Sequence, residues 1–221
     1  MKSILCLLVT SLMANQNPNG VHSLNASEQI LEAVLNTFFS DLPPEIRAQI
    51  AALLNDGYYG AKHISSAMQL SDSVGQRPSE KKLRLFFDLV FALRSGLNYA
   101  NGGFDPDVLA EFPAQRLIQV RFDVKEPVDW KTFWSASGGK FHAGEMVALK
   151  WDRVWWKISF LNLPVAPFQF GSGYDLEDVD RDEAEELGLI KARDKVPVIK
   201  IELDQAELRA RLLVALNAYV E

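Results

Sequence analysis

The sequence feature that most constrains the fold is an apolar run over residues 83–93. It reads Leu-Arg-Leu-Phe-Phe-Asp-Leu-Val-Phe-Ala-Leu, so a helix built on it is apolar on nearly all sides. Such a helix must be covered by other elements, because no wide polar face is left for water. Ser79 supplies an N-cap, and Asn101-Gly102-Gly103 ends the pattern. The sequence therefore predicts a central helix over residues 79–100.

Further helices are predicted before this central one. Apolar residues recur at helical spacing from Ile30 to Phe39, after a capping-box-like start at Asn25 that follows a loop over 15–25. Pro43-Pro44 separates this helix from the next, and a third is expected over residues 58–70. Residues 25–103 are thus predicted to form a helical region.

The pattern changes after Asp105-Pro106-Asp107. Strands are predicted over residues 117–124, 146–150 and 196–203, because these runs are rich in β-branched residues or alternate in polarity. Short helices are expected after the capping residues Asp129 and Asp180, and a longer one after Asp204, while residues 152–160 fit either a strand or a short helix. We therefore expect an α+β protein with a helical N-terminal half and a small mixed, tryptophan-rich C-terminal part over residues 104–221.

Residues 1–24 are interpreted as an apolar leader and a loop. The run from Ile4 to Ala14 is long enough for the core of a signal peptide and too short to span a membrane. Lys2, which precedes this run, is the one basic residue in the leader, and Leu12 is bulky where a cleavage site needs a small side chain. Two locations stay open: cytoplasmic or virion-associated with a short covering helix, or secreted or periplasmic after cleavage.

Charge excludes several function classes. The 221 residues carry a net charge of −6 and one cysteine, Cys6, so neither nucleic-acid binding nor a disulfide or cysteine-based zinc site is expected. Eight acids and one base lie between Asp175 and Glu186. Asp178, Asp180 and Asp182 have the spacing of the first three ligands of a calcium loop, but the glycine and the final glutamate of that loop are missing. Asp180 as N-cap with Glu183 three residues later explains the run better, so no metal or cofactor is expected.

Sequence motifs for catalysis are missing. The histidines His22, His63 and His142 are far apart, and the residues around Gly171-Ser172-Gly173 lack the first glycine of a nucleophile elbow. We therefore expect no catalytic residues and no enzyme. A hydrolase assembled from distant residues, with an acid such as Glu145 facing His142, stays open as a third alternative.

Five tryptophans lie within 27 residues, from Trp130 to Trp156. The favoured interpretation is a second hydrophobic core whose indole N–H groups donate to backbone carbonyls. The alternative is an exported binding protein in which Trp151, Trp155 and Trp156 hold a glycan or a peptide.

Several short blocks occur in an order that resembles the C-terminal region of Mu-like phage minor head, or head morphogenesis, proteins. The blocks are Asp105-Pro-Asp-Val-Leu with Phe112-Pro113, Trp130-x3-Trp134-x3-Gly138-Gly139, Met146-Val-Ala-Leu-Lys150, Trp155-x2-Ile158-Ser159, Pro164-x2-Pro167-Phe168-x-Phe170-Gly-Ser-Gly173, and Asp178 to Ile190. They cover about residues 100–190, less than half of the chain. The cysteine-rich segment of the head-morphogenesis domain is missing from this sequence.

This resemblance implies a non-enzymatic structural or assembly role through protein–protein contacts. The implied partners are other phage-type head or portal proteins, with no membrane span and no nucleic acid, and an oligomer is compatible with the role. We expect the interaction surface to comprise the tryptophan-rich region, the proline-rich loop over residues 164–173 and the acidic helix start. Its residues are Trp151, Trp155, Trp156, Phe168, Asp178, Asp180 and Asp182.

Overall fold

The computed structural model describes residues 21–56, 58–120, 128–169, 172–201 and 204–220. The predicted leader with Cys6 lies outside these ranges, and so does the 121–124 end of the first predicted strand. The described helices, in chain order, are α1 (Val21–Phe38), α2 (Pro44–Ala52), α3 (Ala61–Asp72), α4 (Glu80–Gly103), α5 (Pro106–Glu111), α6 (Trp130–Ala136), α7 (Val154–Ile158), α8 (Arg181–Glu186) and α9 (Gln205–Val220), with a 3₁₀ turn at Leu53–Asp56. The described strands are β1 (Ala114–Gln119), β2 (Phe141–His142), β3 (Glu145–Leu149) and β4 (Tyr174–Val179).

The predicted α+β class is confirmed, because the described part is mainly helical and carries a small antiparallel sheet in its C-terminal half. The chain divides into two compact units. Residues 1–91 with 203–221 form the helical unit, and residues 92–202 form the sheet unit. The division therefore falls inside α4, and α9 belongs to the helical unit, although the sequence places it in the region 104–221.

The helical unit has a core of aliphatic and aromatic side chains. The rings of Phe39 and Phe86 meet edge to face with centroids 4.9 Å apart, and Tyr59 stacks on Phe87 at 5.2 Å. Helix α9 packs on α1, where its buried face carries Leu208, Leu212 and Leu216. The four-residue spacing of these leucines places them on one side of the helix, which is why this helix buries a single stripe.

The central helix is confirmed as α4. Ser79 Oγ accepts a hydrogen bond from Lys82 N at 3.1 Å, which is the predicted N-cap. Buried side chains cover most of the helix surface, from Leu83 through Phe86 and Phe87 to Leu93, Leu97 and Ala100. One exposed stripe remains, which carries Arg84, Asp88, Ser95 and Asn98. By contrast, α1 begins at Val21, so the start predicted at Asn25 is wrong, and so is the 21–25 part of the loop predicted over 15–25. Residues 15–20 of that loop lie outside the described residues. Asparagine costs only a few tenths of a kcal/mol inside a helix, about 0.7 at most, so its presence alone does not start one.

The sheet has the strand order β2-β3-β1-β4, and all its pairs are antiparallel. Strands β2 and β3 form a hairpin through Ala143 and Gly144, which have φ angles of 51° and 86°. Positive φ at both central residues suits the right-handed twist of a tight hairpin, and Gly144 adopts it without strain.

Two strand predictions changed in the structure. Residues 196–201 form no strand, although they are rich in β-branched residues, because strand composition alone does not bring a segment into pairing with a neighbouring strand. Residues 174–179, predicted only as part of an acidic run, form β4 along the whole of β1. Residues 152–160 contain the short helix α7, whose start is fixed by Asp152 Oδ1 accepting from Val154 N at 2.8 Å.

Candidate functional site

The two faces of the sheet carry different chemistry. Side chains alternate across a strand, so Leu117, Met146 and Ala148 lie on one face, where they pack with Trp130, Trp134, Trp155 and Phe168. Ala114, Val147 and Val179 lie on the other face, where they pack with Ala184 and Ile190. The sheet unit therefore has a large aromatic core on one side and a small aliphatic core on the other.

The tryptophans of the large core are structural. Trp134 and Trp155 are fully buried and meet edge to face at 5.0 Å. Their indole N–H groups donate to the backbone carbonyls of Lys140 and Leu149, both at 2.9 Å. Gly139 lies against the Trp134 ring, and a Cβ on it would fall 2.3 Å from that ring. The favoured interpretation, a second core with backbone-bonded indoles, is confirmed for these two residues.

Trp155 and Phe168 are buried completely, which corrects their assignment to an exposed interaction surface. The Trp155 ring packs among the aromatic side chains of the core, and the Leu149 carbonyl accepts a hydrogen bond from its indole N–H. Trp151 and Trp156 are only partly buried. They pack on different clusters, Trp156 on the aromatic core and Trp151 on the small aliphatic one. Trp151, Trp155 and Trp156 therefore do not form one exposed stacking platform.

An arginine on the small-core face gathers three glutamates. Arg116 on β1 places its Nε 2.9 Å from Glu145 on β3 and its Nη1 3.0 Å from Glu177 on β4. Its Nη2 pairs with Glu183 on α8. Glu183 N–H also donates to the Asp180 carboxylate at 2.8 Å, so Asp180 is the predicted N-cap. The return bond expected of a capping box is not made by Glu183, because Arg116 takes its carboxylate.

A lysine lies buried at the edge of the aromatic face. Lys150 has no exposed surface, and its Nζ lies 2.6 Å from Asp178 Oδ1 and 3.4 Å from the Gly103 carbonyl. The same Nζ lies 5.3 Å from the centroid of the Tyr99 ring. A cation near the last carbonyls of a helix is favoured by the helix dipole, and α4 ends at Gly103. Lys150 therefore ties the end of α4 to β4.

Tyr99 and Gln115 complete this polar cluster. Tyr99 Oη contacts both Asp178 Oδ1 and Gln115 Oε1, the latter at 3.3 Å. A hydroxyl has one proton, and the charged carboxylate is the stronger acceptor. We therefore assign the Gln115 amide with its N–H toward Tyr99, which then accepts from Gln115 and donates to Asp178. The other amide position of Gln115 is buried and has no hydrogen-bond partner among the described residues.

The surroundings in this cluster shift the pKa values of Tyr99 and Lys150. Burial raises the pKa of Tyr99, and the hydrogen bond and charge of Asp178 raise it further. Burial lowers the pKa of Lys150, and Asp178 offsets part of that effect. Because Lys150 is fully covered, its amine has no path to a substrate in this structure, and its observed contacts are structural.

The three aspartates of the calcium-like spacing do different things. Asp178 pairs with Lys150 and Tyr99, Asp180 caps α8, and Asp182 is exposed in the first turn of α8. Among the described residues, no three of the His, Cys, Asp and Glu side chains are grouped so that they could hold a metal ion.

The other predicted chemical candidates also have internal partners. His142 pairs with Glu145 across the β2–β3 hairpin, and its Nδ1–H donates to the Leu187 carbonyl at 3.1 Å. The Glu145 carboxylate is bound to Arg116 and not to this histidine. Ser172 is buried, and its Oγ accepts from Tyr174 N at 3.3 Å.

No protein-family model, no curated protein and no solved structure matches this sequence. Within the described ranges, none of the helices combines the length and the apolar character needed to cross a bilayer.

The Lys150 cluster is the feature that sequence reasoning missed. A signal for it exists, because Lys150 follows Met146 and Ala148 at two-residue spacing, in phase with the core face of β3. A lysine in that phase must find a buried partner. The identity of the partner has no local signal, since Asp178 lies 28 positions further along the chain.

Proposed function

We propose that this chain is a non-enzymatic assembly protein that acts by binding other proteins of a phage-type head or portal. The observation that supports this role is where the blocks resembling minor head proteins lie. All of them fall between Asp105 and Ile190, inside the sheet unit of residues 92–202. The resemblance therefore concerns one self-contained unit, which is what a module shared between assembly proteins would produce.

The resembling residues are also the ones that build this unit. Asp105 caps α5, Trp134 packs over Gly139, and Asp180 caps α8. Gly188, with φ of 70°, ends α8 in the left-handed conformation that favours glycine. A likeness in framework residues supports a shared architecture more than a shared reaction.

The surface we propose for partner binding is the acidic surface, defined here as Asp175, Asp182 and Glu186. Trp156 packs on the aromatic core on the other face of the sheet and is not part of this surface. The three acids are exposed, and Trp156 is partly buried. Asp178 and Asp180 are left out because the Asp178 carboxylate is paired with Lys150 and the Asp180 carboxylate caps the N-terminus of α8. A basic partner surface would be steered to this face by its charge.

The test is to purify the C-terminally tagged chain gently from its own host and to identify co-purifying proteins by mass spectrometry. We expect capsid or portal proteins with the wild-type chain and their loss with Asp182→Lys/Glu186→Lys. A matched control is Glu32→Lys/Asp41→Lys, which makes the same charge change at exposed acids of the helical unit. Tryptophan fluorescence should be unchanged in both variants.

Recovery of no phage-type structural protein with the wild-type chain would contradict the proposal. Equal loss with both double variants would contradict the acidic surface alone, because net charge would then be the cause. A mature N-terminus near Asn15 without any phage protein would favour an exported protein that binds a glycan or a peptide.

A further inference from the structure

Strand β4 is an end strand of the described sheet, and no described strand pairs with its outer side. Val120 N–H donates to the Gly173 carbonyl at 2.8 Å, at the end of the β1–β4 ladder. Bonded pairs recur at every second residue of an antiparallel ladder. Counting from Gly173, the backbone groups of Tyr174, Leu176 and Asp178 therefore point away from β1.

Two of these outward N–H groups have local side-chain acceptors. Ser172 Oγ accepts from Tyr174 N at 3.3 Å, and Asp175 Oδ1 accepts from Leu176 N at 2.8 Å. Such acceptors satisfy an edge strand in the separate chain and can be replaced by carbonyls of an added strand without loss of hydrogen bonds. The edge is therefore capped by side chains that an incoming backbone can displace.

Residues 195–201, Lys-Val-Pro-Val-Ile-Lys-Ile, have the composition of a strand but form none in the described structure. Val198 is 73% exposed, which is unusual for a valine in such a run. Residues 191–200 carry four bases and one acid, whereas residues 175–186 carry eight acids and one base. The segment and the edge of β4 are thus complementary in charge as well as in backbone character.

Pro197 fixes how the segment can pair. Proline has no N–H, so it is tolerated only where its backbone side faces away from the neighbouring strand. Val196, Val198 and Lys200 must then direct their N–H and C=O groups toward the partner. Pro197 would lie on the new outer edge, where it hinders the addition of a further strand.

We propose that residues 195–201 of a second copy of this chain add as a strand to the outer edge of β4. This deepens the proposed assembly role and rests on it, because it names a copy of the chain as one partner. The contact joins different surfaces of the two copies. The assembly is therefore finite only if each of two copies gives its segment to the other or if several copies form a ring.

The first test is the oligomeric state of the purified full chain by sedimentation velocity over a range of concentrations. We expect self-association at low salt that weakens by about tenfold or more near 1 M salt, where charges are screened beyond about 3 Å. Val198→Pro removes an N–H that the pairing needs and should abolish association, whereas Val198→Ala should retain it. A chain that stays monomeric at every concentration and low salt overturns the proposal.

Charge reversal gives a second test. Lys195→Glu/Lys200→Glu should weaken self-association, because residues 191–200 then carry two bases and three acids opposite an acidic edge. Asp175→Lys should weaken it less, because seven of the eight acids of residues 175–186 remain. The matched controls Lys131→Glu and Glu111→Lys change exposed charges elsewhere in the sheet unit and should associate like wild type. Association that ignores all of these changes, Val198→Pro included, refutes strand addition.

The two proposals can fail separately. Co-purification of capsid or portal proteins with a monomeric chain refutes strand addition and leaves the assembly role standing. Self-association in the absence of any phage-type partner refutes the phage role and supports strand addition alone.

Discussion

The close approach of α4 to the proline-rich loop gives a prediction whose sign can be worked out. Gly96 lies in α4, and a Cβ added to it would fall 2.4 Å from the Ala166 carbonyl oxygen and 3.1 Å from Val165 Cβ. Gly102 lies in the same helix, and a Cβ there would meet nothing within 4 Å. The variants Gly96→Ala and Gly102→Ala therefore make the same chemical change in two different surroundings.

The magnitudes follow from two opposing effects. Alanine is better than glycine inside a helix by about 1 kcal/mol, and by less near a helix end. At Gly96 the contact with Ala166 must lengthen by about 1 Å to reach an ordinary carbon–oxygen separation of about 3.3 Å. Overpacking of this kind costs about 1–3 kcal/mol. We expect Gly96→Ala to lower the free energy of unfolding by up to about 2 kcal/mol, and Gly102→Ala to raise it by up to about 0.5 kcal/mol.

The assay is urea unfolding followed by tryptophan fluorescence. All five tryptophans lie between Trp130 and Trp156, inside the unit of residues 92–202, so the signal follows unfolding of that unit. With a urea slope of about 2 kcal/mol per M, Gly96→Ala should lower the midpoint by up to about 1 M. A midpoint for Gly96→Ala equal to or above that of Gly102→Ala would refute the reasoning, because the loop would then yield without cost.

Three further predictions test the sheet unit. Lys150→Met should lower the free energy of unfolding by about 1–3 kcal/mol, which is less than for a fully buried pair because Asp178 is partly exposed. The double variant Lys150→Met/Asp178→Asn should recover part of this loss, because no unpaired charge is then left. Losses that add up in urea unfolding would contradict the ion pair. The pKa of Tyr99 is raised, so its contribution to stability is complete below about pH 10 and is lost as the pH rises through the folded-state value. Because Tyr99 stays protonated between about pH 9 and 11 in the folded protein, Tyr99→Phe should leave the absorbance change at about 295 nm over that range unaltered. A smaller absorbance change in the variant would contradict the buried hydroxyl. Ala143→Asn should stabilise the hairpin by about 0.5–1 kcal/mol, because Ala143 has a positive φ that asparagine tolerates better; an unchanged midpoint in urea would show that the turn is not strained.

Local interactions explain the elements that were predicted well. The caps at Ser79, Asp129 and Asp180 are confirmed because an N-cap needs only a side-chain oxygen and an N–H two or three residues later. The central helix is confirmed because a helix that is apolar on most of its sides must be covered by other elements. The indole hydrogen bonds also follow from local chemistry, since a buried N–H must find an acceptor.

Predictions failed where a distant partner decides the outcome. Residues 174–179 and 196–201 are both strand-like in part, and of the two only the first run is paired, with β1, which lies about 60 positions earlier. Trp155 and Trp156 are adjacent in sequence, and the position of the core relative to α7 buries one fully and leaves the other partly exposed. Neither result has a signal in the neighbouring residues.

The sequence alone determined the α+β class, the central helix, the caps and the concentration of tryptophan and acid in the C-terminal half, because each depends on residues close together in the chain. Tertiary structure alone decided that Lys150 is buried against Asp178, that Arg116 gathers three glutamates, and that an acidic run becomes an edge strand followed by a capped helix. These results depend on sheet register and on the end of α4 meeting β4. Contacts between residues so far apart in the sequence depend on the packing of the whole unit, and the pattern of neighbouring residues does not predict them.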